Sequence, residues 1–179
     1  MNNIQKAINI YELLRKHKYR ITTEDGTIIE LLFSGKRFHH LLGLQHLDDL
    51  PHIANPRMKM SRFYSEIKNG KPSETEIKKS VKYDTISERV ENFDQLIPIM
   101  SPGEKRIIVK FDASKVDTVI EATFFVYKRD GFFSDATYFT LFIGQDTKTG
   151  EYYPATYIVE HSNKYIKDQD IQFCTIDIL

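Results

Sequence analysis

Apolar residues recur at helical spacing at Ile4, Ala7, Ile8, Tyr11 and Leu14, so residues 3–16 are expected to form a helix with one buried stripe. Lys16-His17-Lys18 follows, and positive charge suits a helix C-terminus. The pattern then changes. Tyr19-Arg20-Ile21 and Thr27 to Phe33 are rich in strand formers, and Asp25-Gly26 between them is a two-residue turn signal, because glycine accepts the positive φ such turns need. A hairpin over 19–33 is predicted. Helical spacing returns from about Lys36 to Leu47, with Ser34 placed to cap it. At about 100° per residue, Phe38, Leu41, Leu42 and Leu44 share an apolar face, while Lys36, His39, His40, Gly43 and His46 fall opposite. Asp48-Asp49-Leu50-Pro51 ends or kinks this helix.

Residues 57–69 predict another helix, with Met60, Phe63, Tyr64 and Ile67 as its core stripe and Asn69-Gly70-Lys71-Pro72 as its stop. Ser73-Glu74-Thr75-Glu76 is a capping box, and Ile77, Val81, Ile86, Val90, Phe93 and Ile97 repeat behind it at helical intervals until Pro98 and Ser101-Pro102-Gly103. The remainder alternates. Strands are expected over 106–111, 119–127, 137–143, 152–160 and 171–178, with Asp130-Gly131 and Thr149-Gly150 as turns and 163–169 as a short helix or turn. The order predicts one α+β domain over 1–179: an antiparallel sheet with a layer of helices on one face and a helical insert at about 57–100.

Composition narrows the class. The chain has 179 residues, 41% hydrophobic and 28% charged, which suits a folded domain with a sizeable core. No apolar run approaches a membrane span, and the N-terminus lacks the layout of a signal peptide. The lone Cys174, in an alternating apolar run, reads as a buried structural thiol and fits a reducing cytoplasm. Net charge is zero, which argues against coating nucleic acid through bulk charge but leaves room for a local basic patch.

The densest chemistry is His39-His40, His46 and His52, with Asp48 and Asp49 among them. Imidazole both takes and gives a proton near neutral pH. Lys36 and Arg37 at the helix start can hold an anion with a histidine one turn away, a layout suited to RNA backbone cleavage. The plainer reading is a solvated helix face with a charged start. His39, His46 and Asp48 or Asp49 could instead ligate a metal, although no H-x3-H, H-E-x-x-H or paired-cysteine spacing is present. Tyr138, Thr140, Tyr152, Tyr153, Thr156, Tyr157, His161, Lys164, Tyr165 and Gln169 could stack bases and hold phosphates, or could simply be good strand residues. Walker, Rossmann and G-x-S-x-G motifs are absent.

Phe38-His39-His40-Leu41-Leu42-Gly43-Leu44 matches F-x-H-L-x-G-L and resembles the fourth family of phage-encoded Barnase-EndoU-Colicin E5/D-RelE-like nuclease domains. The preceding hairpin, Leu47-Asp48-Asp49-Leu50, and the ending Tyr152-Tyr153-Pro154-Ala155-Thr156-Tyr157 with Asn163-Lys164-Tyr165-Ile166 and Gln169 also fit. The resemblance covers the chain from about Tyr19 onward. It implies a BECR-like ribonuclease architecture, phage or mobile-element origin, and RNA cleavage without metal or other cofactor. His40 matches the motif histidine, His39 falls at its variable position, and Thr156 stands where a small hydroxyl residue is expected. His40, Lys36, Thr156 and Tyr165 are the expected catalytic group, with Arg37, His39, His46, Tyr138, Lys164 and Gln169 as RNA contacts.

Two alternatives stay open. Mobile elements also encode anti-CRISPR proteins, so the partner could be a Cas9–guide RNA complex, bound through the insert at 57–100 or disabled through its guide RNA. The other is the metal-dependent hydrolase built on His39, His46 and an aspartate.

Overall fold

A computed structural model describes residues 2–54 and 59–179. The first helix, α1 (Asn3–Leu14), buries the predicted stripe Ile4, Ala7, Ile8, Tyr11 and Leu14, and the Asn2 side chain caps it by accepting from the Gln5 amide. The hairpin follows as β1 (Lys18–Thr23) and β2 (Ile28–Leu32), turning at Gly26 with φ 84°.

The helix expected over 36–47 is three pieces. A 3₁₀ turn (Gly35–Arg37) leads into α2 (Phe38–Leu42), which stops at Gly43 with φ 81°, and a second 3₁₀ turn covers Leu44–His46. Ser34 precedes this segment without making a side-chain cap. The reason for the break is packing: a Cβ on Gly43 would lie 2.8 Å from both Ile86 Cγ2 and Arg89 Nη1, so the chain turns left-handed where only glycine fits.

The next helix is α3 (Met60–Lys68), burying Phe63, Tyr64 and Ile67; the first residues of its predicted span, 57 and 58, lie outside the described residues. The capping box forms at Ser73 and Glu76, but the run it opens is not one helix. It divides into α4 (Glu74–Ile77), α5 (Asp84–Glu91), a 3₁₀ turn (Phe93–Gln95) and α6 (Leu96–Met100). Val81, expected in the core stripe, is 87% exposed in the break between α4 and α5. Pro98 does not close the run but sits in the first turn of α6, where its missing N–H costs nothing.

The strands are β3 (Arg106–Lys110), β4 (Phe124–Asp130), β5 (Thr137–Gln145), β6 (Tyr152–Glu160) and β7 (Asp170–Ile178). The strand expected from 119 begins only at Phe124; Val119 is 96% exposed in the connection before it, beyond the reach of β3, which ends at Lys110.

The expected antiparallel sheet with a helical layer is not what forms. The strands close into a seven-strand mixed barrel in the order β1-β2-β6-β5-β4-β3-β7. The run β3 to β6 is the expected antiparallel meander, but β7 returns to lie between β3 and β1, and β2 meets β6 in parallel through Leu31 and Tyr152. The larger apolar cluster joins alternate strand residues such as Ile21, Ile108, Leu141 and Tyr157 to the helices, including Phe63, Ile86, Phe93 and Met100 of the 57–100 segment. A smaller one, with Phe111, Phe125, Phe142, Ile158 and Tyr165, lies on the alternate strand positions. Cys174 is buried, and burial pushes its thiol up to about 11, so it acts as an apolar filler.

Candidate active site

Past Leu31 and Tyr152, β2 no longer accompanies β6, and α2 packs against β6 there. An open cleft of about 560 Å³ lies between that segment, α5, the strand and the connection before β4.

The strand wall depends on an irregularity. Phe142 pairs with Thr156 and Ile143 with Pro154, so Ala155 is an extra residue in β6. Such a bulge shifts the phase of alternation by one. Tyr153 before it, the bulged Ala155 itself, and Thr156 and Ile158 after it therefore all line the cleft. Pro154, which cannot donate to a ladder, sits at this bulge. Tyr153 folds over Gly144 of β5, where a Cβ would lie 2.6 Å from its ring. The Arg37 guanidinium stacks on that ring, 3.6 Å from its centroid.

His40 and His46 line the cleft from the other side, set there by the α2 and 3₁₀ turns around Gly43. Burial pushes both imidazoles below the ordinary histidine value; Arg37 and His46 add to this at His40, and Arg89 adds to it at His46. Both rings are therefore mostly neutral at pH 7, the form that accepts a proton.

Arg89 of α5 reaches the same cleft, and no ion pair or hydrogen bond holds its guanidinium among the described residues; its Nη1 is buried without a partner. Burial lowers its pKa, yet an arginine stays charged. The sequence reading missed it. The available signal is that positions three and four residues either side, Thr85, Ile86, Asn92 and Phe93, offer no carboxylate, while Ile86 and Val90 beside it are core. Tyr165 completes the cleft, its hydroxyl 3.5 Å from Thr118 Oγ1, and the exposed carboxylates Asp117 and Glu121 stand on the same side.

Of the expected residues, the structure brings together His40, His46, Arg37, Thr156 and Tyr165. Others lie elsewhere. Lys36 is exposed on the turn before α2, outside the cleft lining. His39 is 7% exposed and points away, into a small apolar hollow with Leu44, Ile53 and Phe63. Its ring packs 3.8 Å from that of His40, and burial followed by His40 pushes its pKa down to about 4. Tyr138 stacks on Tyr127 and carries Arg129 over its ring. Lys164 pairs with Glu160 at 2.9 Å. Gln169 is a structural clamp, accepting from the Asp112 amide and donating to the Asp112 carbonyl.

The proposed metal set is not assembled. His39 and His46 line different hollows, Asp48 pairs with Lys82 at 2.6 Å, and Asp49 accepts from Ser80 and the Val81 amide. Among the described residues no three His, Cys, Asp or Glu side chains are grouped to hold a metal ion. Of the 57–100 segment, considered as a docking surface for a Cas9–guide RNA complex, the apolar residues from Phe63 to Met100 lie mostly in the main core, with Val81 exposed.

A neutral imidazole, two arginines and a strand hydroxyl on one open cleft form a set suited to phosphodiesters. A sequence model of the family described as phage-Barnase-EndoU-ColicinE5/D-RelE like nuclease4 matches residues 3–174. The chain belongs to this nuclease family. The match takes in the hairpin, the F-x-H-L-x-G-L segment, the helices at 57–100 and every strand wall of the cleft. Membership supports a nuclease function and a nucleic acid as the bound molecule. No curated protein and no solved structure matches the chain. Among the described residues, no helix of this nuclease-family chain is long and apolar enough to cross a membrane.

Proposed function

We propose that this member of the nuclease family is an endoribonuclease that cuts by attack of the 2′-hydroxyl on the adjacent phosphate, in the cleft between α2 and β6, without a metal ion. The observation that carries the reading is the meeting of His40 and His46, both mostly neutral, with Arg37 and Arg89, the latter with no ion pair among the described residues, on one cleft.

His40 takes the proton from the 2′-hydroxyl. The 2′-oxygen bonds to phosphorus, the bond from phosphorus to the 5′-oxygen breaks, and that oxygen leaves with a proton from His46 in its charged form. The products are a 2′,3′-cyclic phosphate and a 5′-hydroxyl, so atoms and protons balance. Arg37 and Arg89 stabilise the charge that grows on the phosphoryl oxygens, and the Thr156 hydroxyl hydrogen-bonds one of them. Tyr165 supports this wall from the smaller apolar cluster. Metal independence is supported by the cations being arginines and by the dispersal of the His and Asp groups described above.

The test is incubation with RNA in EDTA. The expected result is cleavage leaving cyclic phosphate ends, no cleavage when the 2′-hydroxyl at the cut is replaced by hydrogen, and a loss of about 10²–10⁴-fold in His40→Ala with the fold intact. A requirement for divalent metal, or normal cutting by His40→Ala, contradicts the mechanism.

A further inference from the structure

A smaller hollow, of about 140 Å³, adjoins the cleft and shares Gln45 with it. Among the described residues its walls are mostly apolar, with Leu44, Ile53, Met60 and Phe63. His39 and Gln45 break that lining. His39 is almost wholly buried, and its Nδ1 has no hydrogen-bond partner; the Oε1 of Gln45 is buried in the same way. The Lys36 carbonyl acts on the His39 ring without holding Nδ1 in a hydrogen bond of ordinary geometry. An unmet buried polar atom is costly, and a molecule that bonds it recovers the cost. Both side chains also touch the imidazoles of the cleft. The His39 ring centroid lies 3.8 Å from that of His40, and Gln45 Nε2 lies 3.3 Å from His46 Nε2.

We propose that this hollow binds a neutral six-membered heterocycle with an amide edge, the chemistry of a free pyrimidine nucleobase, through His39 and Gln45. Size sets the first limit. A cavity of roughly 150 Å³ accepts a benzene-sized ring, so one such ring fits and the fused rings of a purine do not. The polar atoms set the second. The neutral His39 ring presents one N–H and one lone pair, and Gln45 Oε1 takes a donor. A ligand that serves both carries an N–H and an acceptor side by side, as the edge of uracil does. Ordered water is the alternative filler. A hollow of this size holds several molecules, each needing about two to four polar partners, more than these walls offer. The exposed Asp48 carboxylate also lines the hollow and disfavours a base that carries a phosphate.

The test is titration of uracil into the protein, followed by the ring-proton resonances of His39 and His40, which should shift together because the rings touch. The expected Kd is on the order of 1 mM, as suits so few atoms. Benzene, adenine and uridine 5′-monophosphate should each bind about fivefold more weakly or worse. Gln45→Met keeps the length and removes one unmet atom, so it should weaken uracil about tenfold while the thermal melt stays level or rises. Ile53→Phe fills the hollow without touching His39 or Gln45 and should abolish binding. The inference is overturned if uracil does not bind or binds without moving these resonances. It is equally overturned if benzene or adenine binds as well as uracil, if uridine 5′-monophosphate binds more tightly, or if either variant binds uracil as the native chain does. None of these outcomes bears on the endoribonuclease reading, which stands or falls with RNA cleavage in EDTA.

Discussion

Arg89 is kept charged in a half-buried place where, among the described residues, no carboxylate pairs with it. A desolvated cation without a partner lowers stability, and replacing it with an apolar side chain of similar length is often neutral or favourable. Arg89→Met should therefore leave thermal stability unchanged or raise it by about 1 kcal/mol, while lowering RNA cleavage by about 10²-fold through loss of charge opposite the phosphate. A thermal melt and a single-turnover rate on the same preparation check both halves. A fall in stability with normal cutting would make Arg89 a packing residue. Histidine chemistry is equally local. His39 and His40 are neighbours with touching rings, yet His39 is covered by Phe63 of α3 while His40 lines the cleft. The helical pattern put both on one polar face, because periodicity describes a helix in isolation and cannot see α3 arriving over one of them. Arg89 escaped the sequence reading for the complementary reason: its meaning lies in what is missing around it.

At the scale of elements, the site is made by interruptions. Gly43 ends α2 in a left-handed turn and lets Arg89 pass within reach of the cleft. Gly43→Ala meets both the positive φ and contacts of 2.8 Å to Arg89 Nη1 and Ile86 Cγ2. It should cost about 2 kcal/mol of stability, read by denaturant unfolding, and should reduce cleavage beyond that loss because Arg89 is displaced. Stability within a few tenths of a kcal/mol of the native chain would show that the turn tolerates a side chain. The bulge at Ala155 performs a similar task on β6, turning two successive phases of the strand to one side. Regular elements were legible: the α1 stripe, the 25–26 turn, the capping box and four of the five late strands follow local pattern. The breaks were not. Gly43 read as one polar position of a continuous helix, and the 74–97 run read as one helix although Val81 projects into solvent between two shorter ones. In both places tertiary contacts decide.

At the scale of the molecule, closure of the barrel lay outside the sequence reading. The antiparallel meander is local, each strand pairing with the next. Closure depends on partners far apart in the chain: Tyr19 opposite Ile178, and Leu31 beside Tyr152. No alternation pattern encodes such a partnership, so an open sheet with a helical layer was expected where a ring forms. The family resemblance, by contrast, was legible in the seven residues from Phe38 to Leu44, and the family match covers residues 3–174. Proton transfer between His40, His46 and RNA is the central step of the proposed mechanism. Its most direct test is the pH dependence of kcat/KM for RNA cleavage in EDTA, which reports groups of the free enzyme. The base must be neutral and the acid charged, and both imidazoles are pushed below the ordinary histidine value of about 6.5. The profile should therefore be a bell with its optimum below about pH 6.5, its acid limb missing along with nearly all activity in His40→Ala. A rate that climbs through neutrality to alkaline pH, or a His40→Ala enzyme with the native profile, would contradict it.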